Sequence, residues 1–145
     1  ETGIDVAEIS ERIFSRRSLP KSRLMGIALE RIDLFAEGQA AGVALTMADY
    51  QKSGAADTDT EGLVNLAQAV EGVEVAYLMR PGRAPGQWKV SLRTRKWVDA
   101  SALAAQFGGG GHNRAAGLTL KDAPQQELEA QLRRAIEGAL AGEAR

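Results

Sequence analysis

The segment from Trp88 to Thr94 alternates strictly between apolar and polar side chains, and this pattern limits the folds open to the chain. Side chains two residues apart point to the same side of a β-strand. The apolar set begins with Trp88 and turns toward the expected core. The opposite set shares positive charge and a hydroxyl, and consists of Lys89, Ser91, Arg93 and Arg95. The pattern therefore predicts a strand that packs on one face and presents a polar row on the other.

The rest of the chain also switches between strand-like and helix-like periodicity. Further strands are predicted at Ala28–Phe35, Ala41–Met47, Val73–Met79 and Ala115–Leu120, the first two forming a hairpin through Glu37-Gly38. Helices are predicted at Asp5–Arg16, Ala48–Ser53, Asp57–Gly72, Asp99–Phe107 and Gln126–Leu140. Pro20 is interpreted as closing the first helical region, and Thr58-Asp59-Thr60-Glu61 as a capping box. This order predicts a single α/β (α+β) domain whose mixed sheet of about five strands is flanked by helices.

Length and composition exclude several classes of protein. The 145 residues can bury a core without a metal or disulfide. With 0 cysteines, the chain has no disulfide, zinc finger or catalytic thiol, which is consistent with a cytoplasmic location. No apolar run is long enough to cross a bilayer, and no signal-peptide pattern opens the chain. Because the first residue is Glu1, we expect a piece of a longer protein or one lacking its natural start.

The net charge of -1 conceals an uneven distribution. The stretch from Val75 to Lys121 contains eight basic residues and only one acid, Asp99, so it carries +7 while the remainder carries -8. Such asymmetry is typical of an anion-facing region in an otherwise acidic protein. The alternative is that the lysines and arginines merely protect exposed strands from pairing with other chains.

Four consecutive glycines, Gly108 to Gly111, precede His112, the only histidine of the chain. Such a run lets a ligand approach the backbone, its amides can form an anion-binding nest, and an imidazole can donate to phosphate. The alternative is a loose helix-to-strand connector with a surface histidine. The run lacks the third glycine of a dinucleotide fingerprint and the Gly-Lys-Ser/Thr of a phosphate-binding P-loop. Asp57 to Gln68 likewise lacks the final glutamate of a calcium loop. With the cationic strand beside it, the run favours a phosphate site.

Three stretches of this region resemble one known family. They are Val90-Ser91-Leu92-Arg93-Thr94, Val98-Asp99, and the Gly-Gly-Gly-His-x-x-Ala-Ala-Gly pattern that ends at Gly117. Together they resemble the C-terminal DHH-associated domain of DHH-family phosphoesterases, and Asp59 to Asn65 is similar to a helix entry of that family. The resemblance is nearest to the oligoribonuclease and phosphoadenosine-phosphate phosphatase (nanoRNase) branch. RecJ nucleases and cyclic di-AMP phosphodiesterases share the domain.

The resemblance implies a division of labour between two domains. The family's N-terminal DHH domain binds Mn²⁺ and hydrolyses the substrate, whereas this chain lacks the Asp-His-His cluster and is expected to be inactive alone. Residues 1–22 would form an N-terminal helix and interdomain connection, and residues 23–145 the substrate-binding domain. The implied phosphate-binding residues are Ser91, Arg93, Arg95, Gly109, Gly110, Gly111, His112 and Arg114. No catalytic or metal-binding residue is expected among them, and Trp97 is the candidate for stacking on a base.

Two other readings of the sequence stay open at this point. The chain could be a non-catalytic nucleic-acid-binding module, as in the related domain of alanyl-tRNA synthetases, or an interaction domain whose glycine loop packs on a partner. The expected partners are a short RNA, DNA or nucleotide substrate and a DHH domain in the same chain, with no membrane. The sequence leaves the substrate and the oligomeric state open.

Overall fold

The computed structural model describes residues 5–7 and 16–143. Its helices are α1 (Leu19–Arg31), α2 (Met47–Ser53), α3 (Val64–Gln68), α4 (Ala100–Ala105) and α5 (Gln125–Glu143), and single 3₁₀ turns occupy Ala36–Gly38 and Asp57–Thr60. Its strands are β1 (Asp33–Phe35), β2 (Ala40–Ala44), β3 (Val75–Pro81), β4 (Trp88–Thr94), β5 (Gly110–Gly111) and β6 (Ala115–Leu120). The predicted mixed α/β domain is therefore confirmed.

The six strands form one mixed sheet in the order β1-β2-β3-β4-β6-β5. Strands β1 and β2 form the predicted antiparallel hairpin, and β2 runs parallel to β3 because α2 and α3 carry the chain back between them. The remaining pairs are antiparallel. The sixth strand, β5, consists of two glycines and lies at the edge of the sheet beside β6. A two-residue glycine strand has no side-chain alternation, which is why the sequence pattern predicts only five strands.

The first face of the sheet packs against α4 and α5. Alternate residues of β3, β4 and β6 meet the apolar stripe of α5 in one buried cluster. That stripe is Leu128, Leu132, Ile136 and Leu140, as its 3.6-residue period predicts. The helix is also fixed by polar contacts, since Arg133 donates through Nε to the Tyr77 hydroxyl at 2.8 Å and Tyr77 donates to Glu129.

The second face is covered over only part of its width. Helices α1, α2 and α3 form a buried cluster with β2 and β3, to which the sheet contributes Ala41, Val43, Ala76 and Leu78. Among the described residues, no member of β4 or β6 belongs to this cluster. An ion pair joins α1 to α2, because the two terminal guanidinium nitrogens of Arg31, Nη1 and Nη2, donate to the Asp49 carboxylate at 2.9 Å. The helical layer therefore ends beside β4.

The predicted strand at Ala28–Phe35 is wrong over most of its length. Residues up to Arg31 belong to α1, and only Asp33–Phe35 is extended. Pro20 does not close a helix but occupies the first turn of α1, where its missing N–H costs nothing, and Ser18 caps the helix by accepting from the Lys21 amide. Leu24 and Ala28 are buried at helical spacing. A short apolar run is compatible with either a strand or a helix, and here the packing of these two residues favours the helix.

The predicted capping box at Thr58–Glu61 is also wrong. The Asp59 carboxylate instead accepts from the Ala56 amide at 2.9 Å and so begins a 3₁₀ turn at Asp57. The helix that follows is only Val64–Gln68, because Gly62 at φ +82° separates it from the turn. The first turn therefore begins two residues earlier than predicted, and the helix that follows is correspondingly shorter.

Other expectations are confirmed at residue level. Strands β4 and β6 have the predicted bounds, and Asp99 caps α4 by accepting from the Ser101 and Ala102 amides. The predicted helix Asp5–Arg16 lies almost wholly outside the described residues. The boundary between residues 1–22 and 23–145 stays a prediction, and α1 runs across it. No helix in the described ranges combines the length and apolarity that a bilayer crossing requires.

Candidate functional site

The uncovered part of the second sheet face, which we call the open half-face, brings the cationic row of β4 beside the small residues of β6. Cross-strand partners on this face are Lys89 with Thr119, Ser91 with Gly117, and Arg93 with Ala115. The apolar residues that alternate with them, such as Val90 and Leu118, lie in the core of the first face. The open half-face therefore presents cations and hydroxyls above a floor of short side chains.

A depression of about 390 Å³, the glycine depression, lies where β4 and β6 meet the end of α4. Most of its lining residues are small or can form hydrogen bonds, namely Arg80, Lys89, Ser91, Gly108, Gly109, Gly117 and Thr119, and three apolar residues, Val90, Phe107 and Leu118, complete the lining. Two cations line it and no carboxylate does. Arg80 reaches it from β3, directly opposite Lys89 in the β3–β4 pairing. The glycine depression therefore has the charge and the donors that bind an anion.

A second depression, the arginine depression, lies on the other side of Ser91 and has a volume of about 290 Å³. Arg80 and Arg93 line it, but Asp57 and Glu61 line it too, so its charges balance. The Arg80 Nε lies 3.1 Å from the Thr60 hydroxyl and 3.2 Å from Asp57 Oδ1, and Arg93 Nη1 donates to the Leu92 carbonyl at 2.9 Å. The two depressions share Arg80 and Ser91, and Arg93 does not line the glycine depression.

Three glycines of the run have backbone reasons to be glycine. Gly108 ends α4 at φ +77°, where its amide and that of Gly109 donate to Ala105 and Ala104 in a Schellman arrangement. A Cβ on Gly109 would lie 2.2 Å from the Gly117 carbonyl oxygen, and one on Gly111, at φ +148°, would lie 2.6 Å from the Ala115 oxygen. Gly110 differs, because a Cβ there would meet nothing within 4 Å.

The backbone amides of the run are partly engaged within the protein. The N–H groups of Gly108 and Gly109 donate to α4, and that of His112 donates to the Ala115 carbonyl at 2.7 Å. These three amides are therefore already satisfied. Gly110 and Gly111 form strand β5 against Gly117 and Ala116. The phosphate-binding role of Gly109, Gly110 and Gly111 stays a prediction, and of the three only Gly109 lines the glycine depression.

His112 lies at the turn from β5 to β6, and its side chain is exposed. Its backbone pairs with Ala115, which in turn is the partner of Arg93 on β4. His112 and Arg93 therefore lie at the same end of the sheet, separated by the width of β6. Neighbouring strands are about 4.8 Å apart, so the two backbones are roughly 10 Å from each other. His112 lines neither the glycine depression nor the arginine depression, and its action together with Arg93 on one ligand stays a prediction.

Arg95 and Arg114 lie elsewhere. They line a separate shallow depression together with Asn65 and Gln68 of α3. The Arg114 guanidinium donates to the Thr94 hydroxyl at 2.9 Å and to the Val98 carbonyl at 2.7 Å, so it fastens the loop after β4. The structure thus brings Ser91 together with Gly109 on one side and with Arg93 on the other, but separates these residues from Arg95 and Arg114.

The loop after β4 already holds a carboxylate of the chain. Glu74 is buried, and its carboxylate accepts from the amides of Lys96, Trp97 and Val98 at 2.9–3.1 Å. Burial alone raises the pKa of Glu74, but these amide donors outweigh burial and the net pKa lies below its ordinary value. The Trp97 ring is half-buried against the core. Its stacking on a base stays a prediction.

The sequence analysis missed Arg80 and Thr119, and it placed Lys89 in the cationic row without naming it as a phosphate-binding residue. Lys89 belongs to the same alternating row as Ser91, so its place on the open half-face could be read from the pattern. Arg80 becomes visible only through the β3–β4 register, which sets it opposite Lys89. Thr119 likewise follows from the pairing of β4 with β6.

Within the described ranges, no three His, Cys, Asp or Glu side chains come close enough together to hold a metal ion. The residues of the open half-face offer cationic and hydroxyl groups, which suit an anion rather than a cation. The family resemblance assigns Mn²⁺ to a DHH domain outside this chain, which stays a prediction, and we derive no step through such an ion.

Comparisons with known proteins agree on one family. The DHHA1 domain family matches residues 39–142. The chain is 37% identical over 121 residues to the bifunctional oligoribonuclease and PAP phosphatase NrnA of Thermus thermophilus, covering 82% of this chain and 34% of that protein. The chain thus spans about a third of the length of this relative.

Solved structures show the same fold. An exopolyphosphatase-related protein from Bacteroides fragilis superposes with a TM-score of 0.77 at 27% identity, over 97% of this chain and 39% of that one. A pGpG-specific phosphodiesterase, PggH from Vibrio cholerae, superposes with a TM-score of 0.61 at 13% identity, over 98% of this chain and 47% of that one. The strand, helix-start and glycine–histidine motifs pointed to the same domain, and the chain belongs to the DHHA1 family.

Proposed function

We propose that this chain is the substrate-binding domain of a phosphoesterase that acts on short oligonucleotides or nucleotides. The open half-face grips phosphate while a DHH domain in the same protein hydrolyses the ester. The relative from Thermus thermophilus is named as an oligoribonuclease and PAP phosphatase, which supports this substrate class. Because the chain spans only about a third of that relative, the activity is proposed for the whole protein and not for this domain alone.

One observation carries the proposal. The glycine depression combines two cations from neighbouring strands, two hydroxyls and a floor of glycine, with no carboxylate among its lining residues. Arg80 also contacts Asp57 at 3.2 Å, but Asp57 does not line this depression, and cations gathered in a concave surface raise the local concentration of oppositely charged ligands. A phosphate fits this depression because cations and hydroxyl donors converge on it from three strands.

Each side chain has a distinct part in the proposed grip. Lys89 supplies an exposed point charge, and the Ser91 hydroxyl donates a directed hydrogen bond. Arg93 lies one step along the strand, where its planar guanidinium can hold the oxygens of a neighbouring phosphate in a bidentate manner. His112 donates from the far side of β6. The role proposed for these groups is to bind and orient the substrate. A manganese centre that activates water would be held by the DHH domain, outside this chain.

The test measures binding of a 5′-phosphorylated and an unphosphorylated dinucleotide by calorimetry at low salt. We expect weak binding that requires the 5′-phosphate and that Lys89→Ala, Arg93→Ala and His112→Ala each weaken at least about threefold, since hydrogen bonds to charged groups contribute on the order of 1 kcal/mol or more. The matched control is Arg134→Ala, because Arg134 is exposed on α5 away from the open half-face. Binding should also weaken steeply as salt rises.

Two results would contradict the proposal. Affinity that grows with oligonucleotide length and ignores the 5′ end would favour the non-catalytic nucleic-acid-binding module instead. If no phosphorylated ligand showed saturable binding, the remaining hypothesis would be an interaction domain whose glycine loop packs on a partner.

A further inference from the structure

We propose that Asp57 and Thr60 are positioning residues, which hold the Arg80 guanidinium in the orientation that a bound phosphate requires. This inference rests on the proposed function and deepens it, because it names the contacts that orient one of the two cations of the glycine depression. Asp57 and Thr60 begin and end a 3₁₀ turn, and neither residue lines that depression. They therefore act on the ligand only through Arg80.

Arg80 lies where the helical layer ends. Ala76, Leu78 and Arg80 are alternate residues of β3 and share the second face of the sheet. The first two are buried beneath the helices, whereas Arg80 is partly exposed and lines both the glycine depression and the arginine depression. A long side chain at such an edge has many rotamers, so its direction depends on the groups that bind it from the side.

The 3₁₀ turn holds Arg80 at Nε. This nitrogen lies 3.1 Å from the Thr60 hydroxyl oxygen and 3.2 Å from Asp57 Oδ1. Because the Thr60 hydroxyl donates its own proton to the Asp57 carbonyl at 2.6 Å, its oxygen meets Arg80 as an acceptor. The Tyr50 hydroxyl donates to Asp57 Oδ1 at 3.3 Å and helps to fix the carboxylate. Burial raises the pKa of Tyr50 to about 12, so this hydroxyl keeps its proton at neutral pH.

This arrangement leaves the terminal nitrogens of Arg80 for a ligand. Within the part of the chain that the structure describes, the polar contacts of the Arg80 side chain are made through Nε. A guanidinium held at Nε presents Nη1 and Nη2 to the depression, and planar guanidinium nitrogens match the oxygens of one phosphate. The ligand then finds the side chain already ordered. Ordering one long side chain during binding costs about a fivefold loss of affinity.

Asp57 also carries a negative charge, which by itself disfavours a bound phosphate. Its side chain is 65% exposed and does not line the glycine depression, so solvent screens this charge from a phosphate bound there. The orientation of Arg80 therefore outweighs the repulsion, and loss of Asp57 weakens binding. If repulsion dominated, loss of Asp57 would strengthen binding, so the two effects differ in sign.

The experiment measures binding of the 5′-phosphorylated dinucleotide by calorimetry at low salt. We expect Asp57→Ala to weaken binding about fivefold. Asp57→Asn removes the charge but keeps an acceptor oxygen, and it should retain the parent affinity within about twofold. Thr60→Val should weaken binding and Thr60→Ser should restore it, because only serine keeps the hydroxyl. Since the Asp57 ion pair is exposed, Asp57→Ala should shift the thermal unfolding midpoint by less than about 2 °C.

The matched control is Asp33→Ala. Asp33 is 62% exposed and pairs with Arg133 of α5 at 2.7 Å, so this variant also removes an exposed carboxylate from an arginine. Arg133 lines neither depression, and the affinity should not change. The orientation itself is followed through the Arg80 Nε–H resonance in nitrogen-15 NMR spectra. We expect a slowly exchanging resonance in the parent and in Asp57→Asn, and a broadened one in Asp57→Ala.

The outcomes separate this inference from the proposed function. If the parent binds the dinucleotide and Asp57→Ala binds it equally well or more tightly, the positioning role is overturned and the phosphate grip stands. A loss in Asp57→Asn or in Asp33→Ala as large as that in Asp57→Ala would overturn the positioning role too, because the effect would then follow the charge and not the acceptor. If the parent does not bind the dinucleotide, the proposed function fails and the positioning role fails with it.

Discussion

The two halves of the second sheet face share one backbone but differ in what lies above them. Leu78 on β3 and Ser91 on β4 are direct cross-strand partners on this face. Leu78 is 2% exposed beneath the helical layer, whereas Ser91 lines the glycine depression and the arginine depression. The boundary between packing surface and binding surface therefore falls between two adjacent strands.

The difference shows how the fold separates stability from binding. The covered half has branched and small apolar residues, and Arg31 with Asp49 secures the helices over it. The helical layer touches the open half-face only at its edge, where Val64 of α3 lines the arginine depression and the Gln68 side-chain amide donates to the Thr94 carbonyl at 3.0 Å. Strands β4 and β6 are attached to the core mainly through their first-face residues. The rest of the open half-face is free to present cations, because charged side chains that remain hydrated cost little free energy of folding.

The largest expected effect is on the free energy of unfolding at the boundary between the covered half and the open half-face. We expect Leu78→Ala to lower the free energy of unfolding by about 2–5 kcal/mol, since it leaves a cavity under α1 to α3. Ser91→Ala, at the partner position, should change it by less than about 0.5 kcal/mol. Urea denaturation of both variants checks this. Equal losses in the two variants would mean that the open half-face is also a packing surface.

The next effect distinguishes two neighbouring glycines at the rim of the open half-face by their contribution to stability. Gly109→Ala should cost about 1–3 kcal/mol, because the new methyl group would press on the Gly117 carbonyl. Gly110→Ala should cost less than about 0.5 kcal/mol, since open space surrounds that position. Thermal unfolding measures both. A phosphate-binding defect in a fully stable Gly110→Ala variant would assign this glycine to the ligand, whereas equal destabilisation by both changes would contradict the packing argument.

A smaller effect concerns the pH dependence of stability that comes from the ion pair in the helical layer. The hydrogen bond from Arg31 lowers the pKa of Asp49 below its ordinary value. A carboxyl with a lowered folded-state pKa contributes stability above its unfolded pKa of about 4, and this contribution is lost as the pH falls through the folded value. We therefore expect Asp49→Asn to lose about 1–2 kcal/mol at neutral pH and to depend less on pH below about 4.

The control for the acid measurement is Glu30→Gln, which removes an exposed carboxylate from the same helix. It should leave both the neutral-pH stability and the acid limb of the denaturation profile nearly unchanged. An Asp49→Asn variant with the full acid dependence of the parent would show that other carboxyl groups set the acid limit.

Sequence reasoning succeeded where one period governs a whole element. The alternation of Trp88 to Thr94 and the stripe from Leu128 to Leu140 each specify an element and its buried face. It failed at Ala28–Phe35, where apolar residues fit either period until packing decides. The start of α3 was missed because capping by Asp59, rather than by Thr58, depends on a single hydrogen bond.

The candidate site could be predicted only in part from the sequence, because part of it depends on contacts between distant segments. The sequence shows that Ser91 and Arg93 share a face, since that follows from spacing of two along one strand. It does not show that Arg114 is bonded to Thr94 and Val98, or that Asp57 faces Arg80, because these pairs join distant parts of the chain. Long-range register likewise decides that Arg80, and not Arg95, accompanies the glycines.

The most direct test of the phosphate grip is amide chemical-shift mapping of the chain during titration with a 5′-phosphorylated dinucleotide. We expect saturable shifts concentrated at Lys89, Ser91, Gly109 and Thr119, with the residues under α1 to α3 unmoved. Shifts confined to the covered half, or spread evenly over the molecule, would contradict the assignment of phosphate binding to the open half-face.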